Sequence, residues 1–183
     1  MLLQTGRGYI IPQGEITLEN CGHSERLLWL ASWAATRFGL WGEFVDAAQI
    51  HDAGKLYLPR YDLLRRPLKA SELEVLRSHV ALSWQHASKN GYSRTAQDVA
   101  LMHHERWDGK GYILGRGKEE IPLSARVMAV LDAYDAMRSG RPYREALSPV
   151  EARREIRQGA GTQFDPQIAG LFLEYLEVEW PDC

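Results

Sequence analysis

Six histidines stand at positions 23, 51, 79, 86, 103 and 104 of a 183-residue chain. Five of them, with one aspartate, keep a regular beat. His23 to His51 and His51 to His79 are each 28 residues, His79 to His103 is 24, and His104 to Asp132 is again 28. A helix with its return turn spans about that length, so one ligand type would recur at one end of successive helices and converge there. The neighbours are acidic. Asp52 follows His51 directly, Glu105 follows His103 and His104, and Glu19 precedes His23 by four residues. Asp132 and Asp135 share a helical face, as do Asp52 and Lys55. An imidazole and carboxylate set without cysteine suits Mn, Fe, Ni or Zn in a catalytic site rather than a structural zinc knot. A carboxylate such as Asp52 can bridge two ions. Paired divalent ions suit phosphoester hydrolysis, one activating the attacking water and both neutralising charge in the transition state. Cys21 lies off the face shared by Glu19 and His23, and His86 has no motif partner, so neither joins the set.

These groups need helices to position them. Residues 24–38 place Leu27, Leu28, Leu30, Ala31, Ala34, Ala35 and Phe38 at helical spacing, and Gly39 ends the run. Residues 43–53 repeat the pattern and stop at Gly54. Ser71, with Glu74 three residues on, predicts a capped helix that closes at Asn90-Gly91. Thr95–Arg106 predicts another, followed by a Gly-rich loop to Pro122, and Ser124–Met137 a further one. Ser148-Pro149 and Asp165-Pro166 open the last two. The reading is all-α: a compact bundle of about seven helices forming one domain over residues 19–183, after an irregular lead-in over residues 1–18.

Composition excludes other classes. Apolar residues make up 45% and charged residues 25%, as in a folded globular chain. Lys and Arg number 22 against 24 Asp and Glu, a net charge of −2, which gives no broad basic face for nucleic acid or an anionic membrane. No apolar run reaches the roughly 18 residues of a transmembrane helix, and MLLQTGRGYIIPQGE lacks the pattern of a secretory signal. Two cysteines, Cys21 and Cys183, build no disulfide framework, so the expected compartment is the cytoplasm.

His51-Asp52-Ala53-Gly54-Lys55 resembles the HD-x-GK signature of the HD superfamily of metal-dependent phosphohydrolases. The run from His103 to Tyr112, HHERWDGKGY, resembles the HHExxDGxGYP stretch of its HD-GYP subfamily. Ile121-Pro122, Ala125-Arg126-Val127, the Asp132–Met137 stretch, Arg141-Pro142-Tyr143-Arg144 and the Gly161–Pro166 stretch also match in order, so the resemblance spans roughly residues 19–175. It implies a helical bundle of HD type. It also implies hydrolysis of cyclic di-GMP to linear pGpG, and in some members on to GMP, through in-line attack by a metal-bridged hydroxide. The resemblance further implies a centre of two or three divalent ions, iron or manganese first and zinc or nickel less so. Carried over by position, the metal ligands are His23, His51, Asp52, His79, His103, His104 and Asp132, with Asp52 as the bridge and Glu19 in the place that serves a third ion. Lys55 would contact the scissile phosphate, Arg141 and Arg144 would hold substrate phosphates, and Asp135 would orient a ligand or handle a proton.

The chain departs from the subfamily at Ile113, where the GYP proline is replaced. That loop is implicated in contacts with diguanylate cyclase (GGDEF) domains, so the change bears on that partner rather than on metal binding. Trp107, inside the motif loop, can stack on a guanine base or simply pack. The alternatives to cyclic di-GMP hydrolysis are an HD phosphohydrolase for another nucleotide and a sensor that binds the dinucleotide without cleaving it.

Overall fold

The computed structural model describes residues 23–58, 69–139 and 145–179, with side chains from residue 26 onward. The described residues form eight α-helices: α1 His23–Phe38, α2 Trp41–Ile50, α3 Ala70–Arg77, α4 His79–Lys89, α5 Arg94–Met102, α6 Leu123–Arg138, α7 Pro149–Gly159 and α8 Pro166–Glu179. Extended pairing among them is limited to one isolated bridge between Ala160 and Phe164. The all-α bundle read from the sequence is the observed architecture, its third helix divided at Ser78 into α3 and α4.

Helix α6 is the axis of the bundle. Its buried residues, among them Ala125, Val127, Met128, Val130, Leu131 and Tyr134, point to several sides, and α1, α5, α7 and α8 pack against it. A helix apolar on most of its circumference must lie inside. Helix α1 turns the stripe Leu27, Leu30, Ala31 and Ala34 inward, and Gly39 ends it at φ +67°, a conformation that suits glycine. Helices α2 and α5 approach through Ala47, Ala48, Ala96 and Ala100, all buried small side chains. Helix α8 closes the far side, where Phe172 meets Trp33 and Tyr134 with ring centroids 5.6 and 5.2 Å away.

Three helix ends differ from the expected ones, and each difference places chemistry. Helix α2 stops at Ile50, and a 3-10 turn over Ala53–Tyr57 follows, so His51 and Asp52 sit in the break. Helix α5 stops at Met102, leaving His103 and His104 on its terminal turn instead of mid-helix. Helix α3 begins two residues early: the Lys69 backbone N–H donates to Glu72 Oε2 at 2.8 Å, so Glu72 and not Glu74 closes the first turn.

Candidate metal centre

The helix ends meet at one place. Asp52, His79, His103 and His104 each bring one ligand atom within 4.8 Å of the others. His51 Nε2 lies 3.4 Å from Asp52 Oδ2 and 3.5 Å from Asp132 Oδ1. Asp52 Oδ1 stands 3.1 Å from His79 Nε2 and 3.8 Å from His103 Nε2. Asp52 is therefore the hub, with imidazoles from three different segments around it.

The rings are held for one job. Nδ1 of His51 donates to the Ala48 carbonyl at 2.7 Å, that of His79 to Leu76 at 2.6 Å, and that of His103 to Val99 at 2.9 Å. A carbonyl can only accept, so Nδ1 carries the proton and Nε2 presents a lone pair inward. The three Nε2 atoms and Asp52 Oδ1 are buried and make no hydrogen bond. Four such orphans in one spot would be costly, and a divalent cation is the partner that accepts lone pairs from all of them. The residues present fit a metal centre.

The local electrostatics agree. Burial works against the charged form of Asp52, but the His103, His51 and His79 rings that crowd it hold its carboxyl well below the usual range. Asp132 is likewise held low against burial, by His51 first. Burial pushes both His103 and His104 down, His104 to about 2, so these rings stay neutral ligands. Burial also opposes charge on His51, but the adjacent Asp132 and Asp52 carboxylates outweigh that and raise it to about 10, so an ion that takes the Nε2 lone pair must displace a proton there.

Backbone packing fixes the hub. A Cβ on Gly54 would lie 2.0 Å from the His79 carbonyl oxygen and 2.5 Å from Ser83 N. Only glycine lets the 3-10 turn press onto α4, and Gly54 N–H donates to Ser83 Oγ at 2.8 Å to hold it there. The tighter 3-10 turn brings residues three apart onto one edge. Lys55 Nζ thus contacts Asp52 Oδ2.

A loop over residues 105–117 roofs the centre. Buried Glu105 accepts from Leu114 N at 2.6 Å and Gly115 N at 3.2 Å, and a Cβ on Gly111 would strike Arg106 N and Glu105 Cα at 2.5 Å. Arg106 and Asp108 pair through two bonds of 3.0 and 2.9 Å. Asp108 N–H and Trp107 N–H donate to the Thr162 and Gln163 carbonyls at 2.8 and 3.1 Å, tying this loop to the segment before α8. Tyr112 stacks on His104 with centroids 5.0 Å apart. Beneath the loop a cavity of about 390 Å³ opens beside His103, His104 and Asp132, with Arg77 and Tyr112 on its wall.

The structure thus gathers His51, Asp52, His79, His103, His104, Asp132 and Lys55. Asp135 lies one turn below Asp132, and its buried carboxylate accepts from Arg26 Nε at 2.7 Å. Glu19, Arg141 and Arg144 lie outside the described residues, as does the side chain of His23, whose backbone opens α1. Trp107 packs: its ring faces the Arg126 guanidinium at 5.8 Å and is not among the residues lining the cavity. Sequence reasoning missed Ser83, Arg77 and Arg26. A serine or arginine at helical spacing carries no motif signal, and only the fold shows what each touches.

The description "HD domain" fits residues 39–168, the span of a family model that matches this chain. The chain belongs to the HD domain family, in its HD-GYP branch. It is 37% identical over 172 residues to a cyclic di-GMP phosphodiesterase of Thermotoga maritima, covering 90% of this chain and 46% of that protein. It is 30% identical over 165 residues to the 3′3′-cGAMP-specific phosphodiesterase 2 of Vibrio cholerae, covering 86% of this chain and 31% of that protein. The chain therefore spans less than half the length of these relatives. Its fold matches that of a solved cyclic GMP-AMP specific phosphodiesterase of Vibrio cholerae, with a TM-score of 0.66 at 17% identity over 87% of this chain and 44% of that one. Among the described residues, no helix is long and apolar enough to cross a membrane.

Proposed function

We propose that this protein is a metal-dependent phosphodiesterase that hydrolyses cyclic di-GMP to the linear dinucleotide, and on to GMP if the product rebinds. The observation that carries the reading is the set of buried, unpartnered ligand atoms on His51, Asp52, His79 and His103 beside a nucleotide-sized cavity. When bound, divalent ions supply Lewis acidity and an activated water for attack at phosphorus. The chain's own residues do the rest. His51, Asp52, His79, His103, His104 and Asp132 would hold the ions, and His23 and Glu19 would complete a binuclear or trinuclear set. Iron and manganese suit this nitrogen and oxygen donor set, with zinc and nickel as competitors. Lys55, held on Asp52, would neutralise charge on the scissile phosphate. Arg141 and Arg144 would grip phosphate oxygens. Residues 19–183 would form the catalytic unit, acting in the cytoplasm, and the exposed Ile113 would weaken docking of a GGDEF domain.

The test is incubation of anaerobically purified, Fe(II)- or Mn(II)-loaded protein with cyclic di-GMP, the products being separated by chromatography. Linear dinucleotide or GMP is expected. Asp52→Ala should abolish turnover with the far-UV spectrum retained, and unchanged turnover in that variant would sink the assignment. The likeness to a cGAMP-specific relative favours one second reading, cleavage of a mixed cyclic dinucleotide, which faster turnover of cyclic GMP-AMP would reveal.

A further inference from the structure

Besides the metal ligands and Lys55, the cavity wall carries Arg77, Arg106 and the exposed Lys110, and of these Arg77 is the one held over a ring that stacks on a ligand. Arg77 ends α3, directly ahead of the helix that opens with His79, and lines the cavity beside His103, His104 and Asp132. Its guanidinium lies over the Tyr112 ring, 5.1 Å from the centroid, and Tyr112 in turn stacks on His104 at 5.0 Å. Nη1 donates to Glu74 Oε1 at 2.6 Å. Nε is buried and has no hydrogen-bond partner. A donor shut away from water and left unused costs free energy until an acceptor arrives. The edge formed by Nε and Nη2 is the one that meets two oxygens of an oxyanion as a fork. The neighbouring cation Arg106 is already taken, through two bonds, by Asp108.

We propose that Arg77 anchors the second, non-scissile phosphate of a two-phosphate nucleotide substrate. The proposal rests on the phosphodiesterase reading above. With one phosphate at the metal centre near Lys55, the other phosphate of a cyclic dinucleotide lies a ribose unit away. The Arg77 fork waits two stacking steps from His104, over Tyr112. The Hoogsteen edge of guanine would fit the same fork, and the experiment separates it from phosphate.

Arg77→Ala and Arg77→Lys are compared with the wild type as metal-loaded proteins. The substrates are cyclic di-GMP, cyclic GMP-AMP and bis(p-nitrophenyl) phosphate, which has one phosphate only. For Arg77→Ala, KM for both dinucleotides should rise by about 10- to 100-fold, the loss of one charge-assisted contact, with kcat changed far less. Arg77→Lys, which keeps the charge and loses the fork, should fall between. Turnover of bis(p-nitrophenyl) phosphate should change by no more than about threefold, within the spread of mutational effects away from a lost contact. A matching collapse on this small diester, with metal lost, would overturn the proposal and make Arg77 a prop for Tyr112 and His104. A loss larger for cyclic di-GMP than for cyclic GMP-AMP would overturn it in favour of base reading. The inhibition constant of cyclic di-GMP against the small diester gives a readout that does not need the dinucleotide to be cleaved. A constant raised by Arg77→Ala supports the anchor even if no dinucleotide product forms, an outcome that would sink only the hydrolysis reading. An unchanged constant overturns the anchor.

Discussion

Gly54→Ala should do damage out of proportion to one methyl group. The added carbon would sit 2.0 Å from the His79 carbonyl oxygen, 2.5 Å from Ser83 N and 2.8 Å from Ser83 Oγ. Two of these are backbone atoms of α4, so no rotamer change relieves the clash. Restoring ordinary contact moves the 3-10 turn away by roughly 1.4 Å. That shift removes the acceptor of the buried Gly54 N–H, and it carries Asp52, now 3.1 Å from His79 Nε2, away from the ligands it joins. Overpacking costs about 1–3 kcal/mol and a stranded buried donor about 1–3 kcal/mol more, so a loss of about 3–4 kcal/mol is expected. For a chain of this size that lowers the melting temperature by about 6–16 °C. A ligand displaced by 1 Å also costs about 100-fold in turnover. Far-UV melting curves and metal analysis of the purified variant check both effects. Wild-type melting temperature together with full metal content would refute the close-approach argument. Gly170→Ala is the matched control. It sits inside α8 with nothing within 4 Å of the added carbon, so the variant should gain about 0.5–1 kcal/mol.

Other expectations follow from the same contacts. Asp135→Asn leaves the Arg26 guanidinium, 12% exposed, without its buried anion, so urea unfolding should show a loss of about 3 kcal/mol. A variant that keeps its midpoint and loses turnover would return Asp135 to the chemistry. Removing the metal with a chelator should lower the melting temperature, because the buried ligand atoms of Asp52, His51, His79 and His103 are then left without a partner. Re-addition at about 1,000 times the dissociation constant should restore about 4 kcal/mol, and a chelated sample that melts with the loaded one would count against a metal centre here. Glu105→Ala strands the Leu114 and Gly115 amides. It should cost about 1–3 kcal/mol and speed amide exchange at those two residues, and unaltered exchange would remove Glu105 as the support of the loop.

Much of this was legible in the sequence because the helices are amphipathic and their ends carry the histidines. Leu27, Leu30, Ala31 and Ala34 predict α1 by spacing alone, and the beat from His51 to Asp132 already says that helix ends converge. Helix ends themselves were less legible. A run such as EFVDAAQIHDA keeps helical periodicity through Asp52, and nothing local says that Gly54 must touch α4; the break at Ile50 is set by a partner 29 residues away, Ser83. The division at Ser78 is hidden for a similar reason, since its backbone dihedrals remain helical, φ −63° and ψ −14°. Trp107 shows the opposite limit. Its place in the motif loop admits a base-stacking role, but the Arg126 and Asp165 pair behind it makes a packing site that sequence order gives no hint of.

The carbonyls that hold His51, His79 and His103 each lie only three or four residues back along the chain. Ring orientation is thus a short-range property, settled by a single turn of peptide before distant segments dock. Assembly then has only to bring pre-aimed donors together, not to aim them. Such a division separates two tasks in evolution as well. The apolar faces can drift to tune helix packing while each donor stays correctly turned, and a new donor can be recruited by one substitution at any exposed helix end that already offers a free carbonyl.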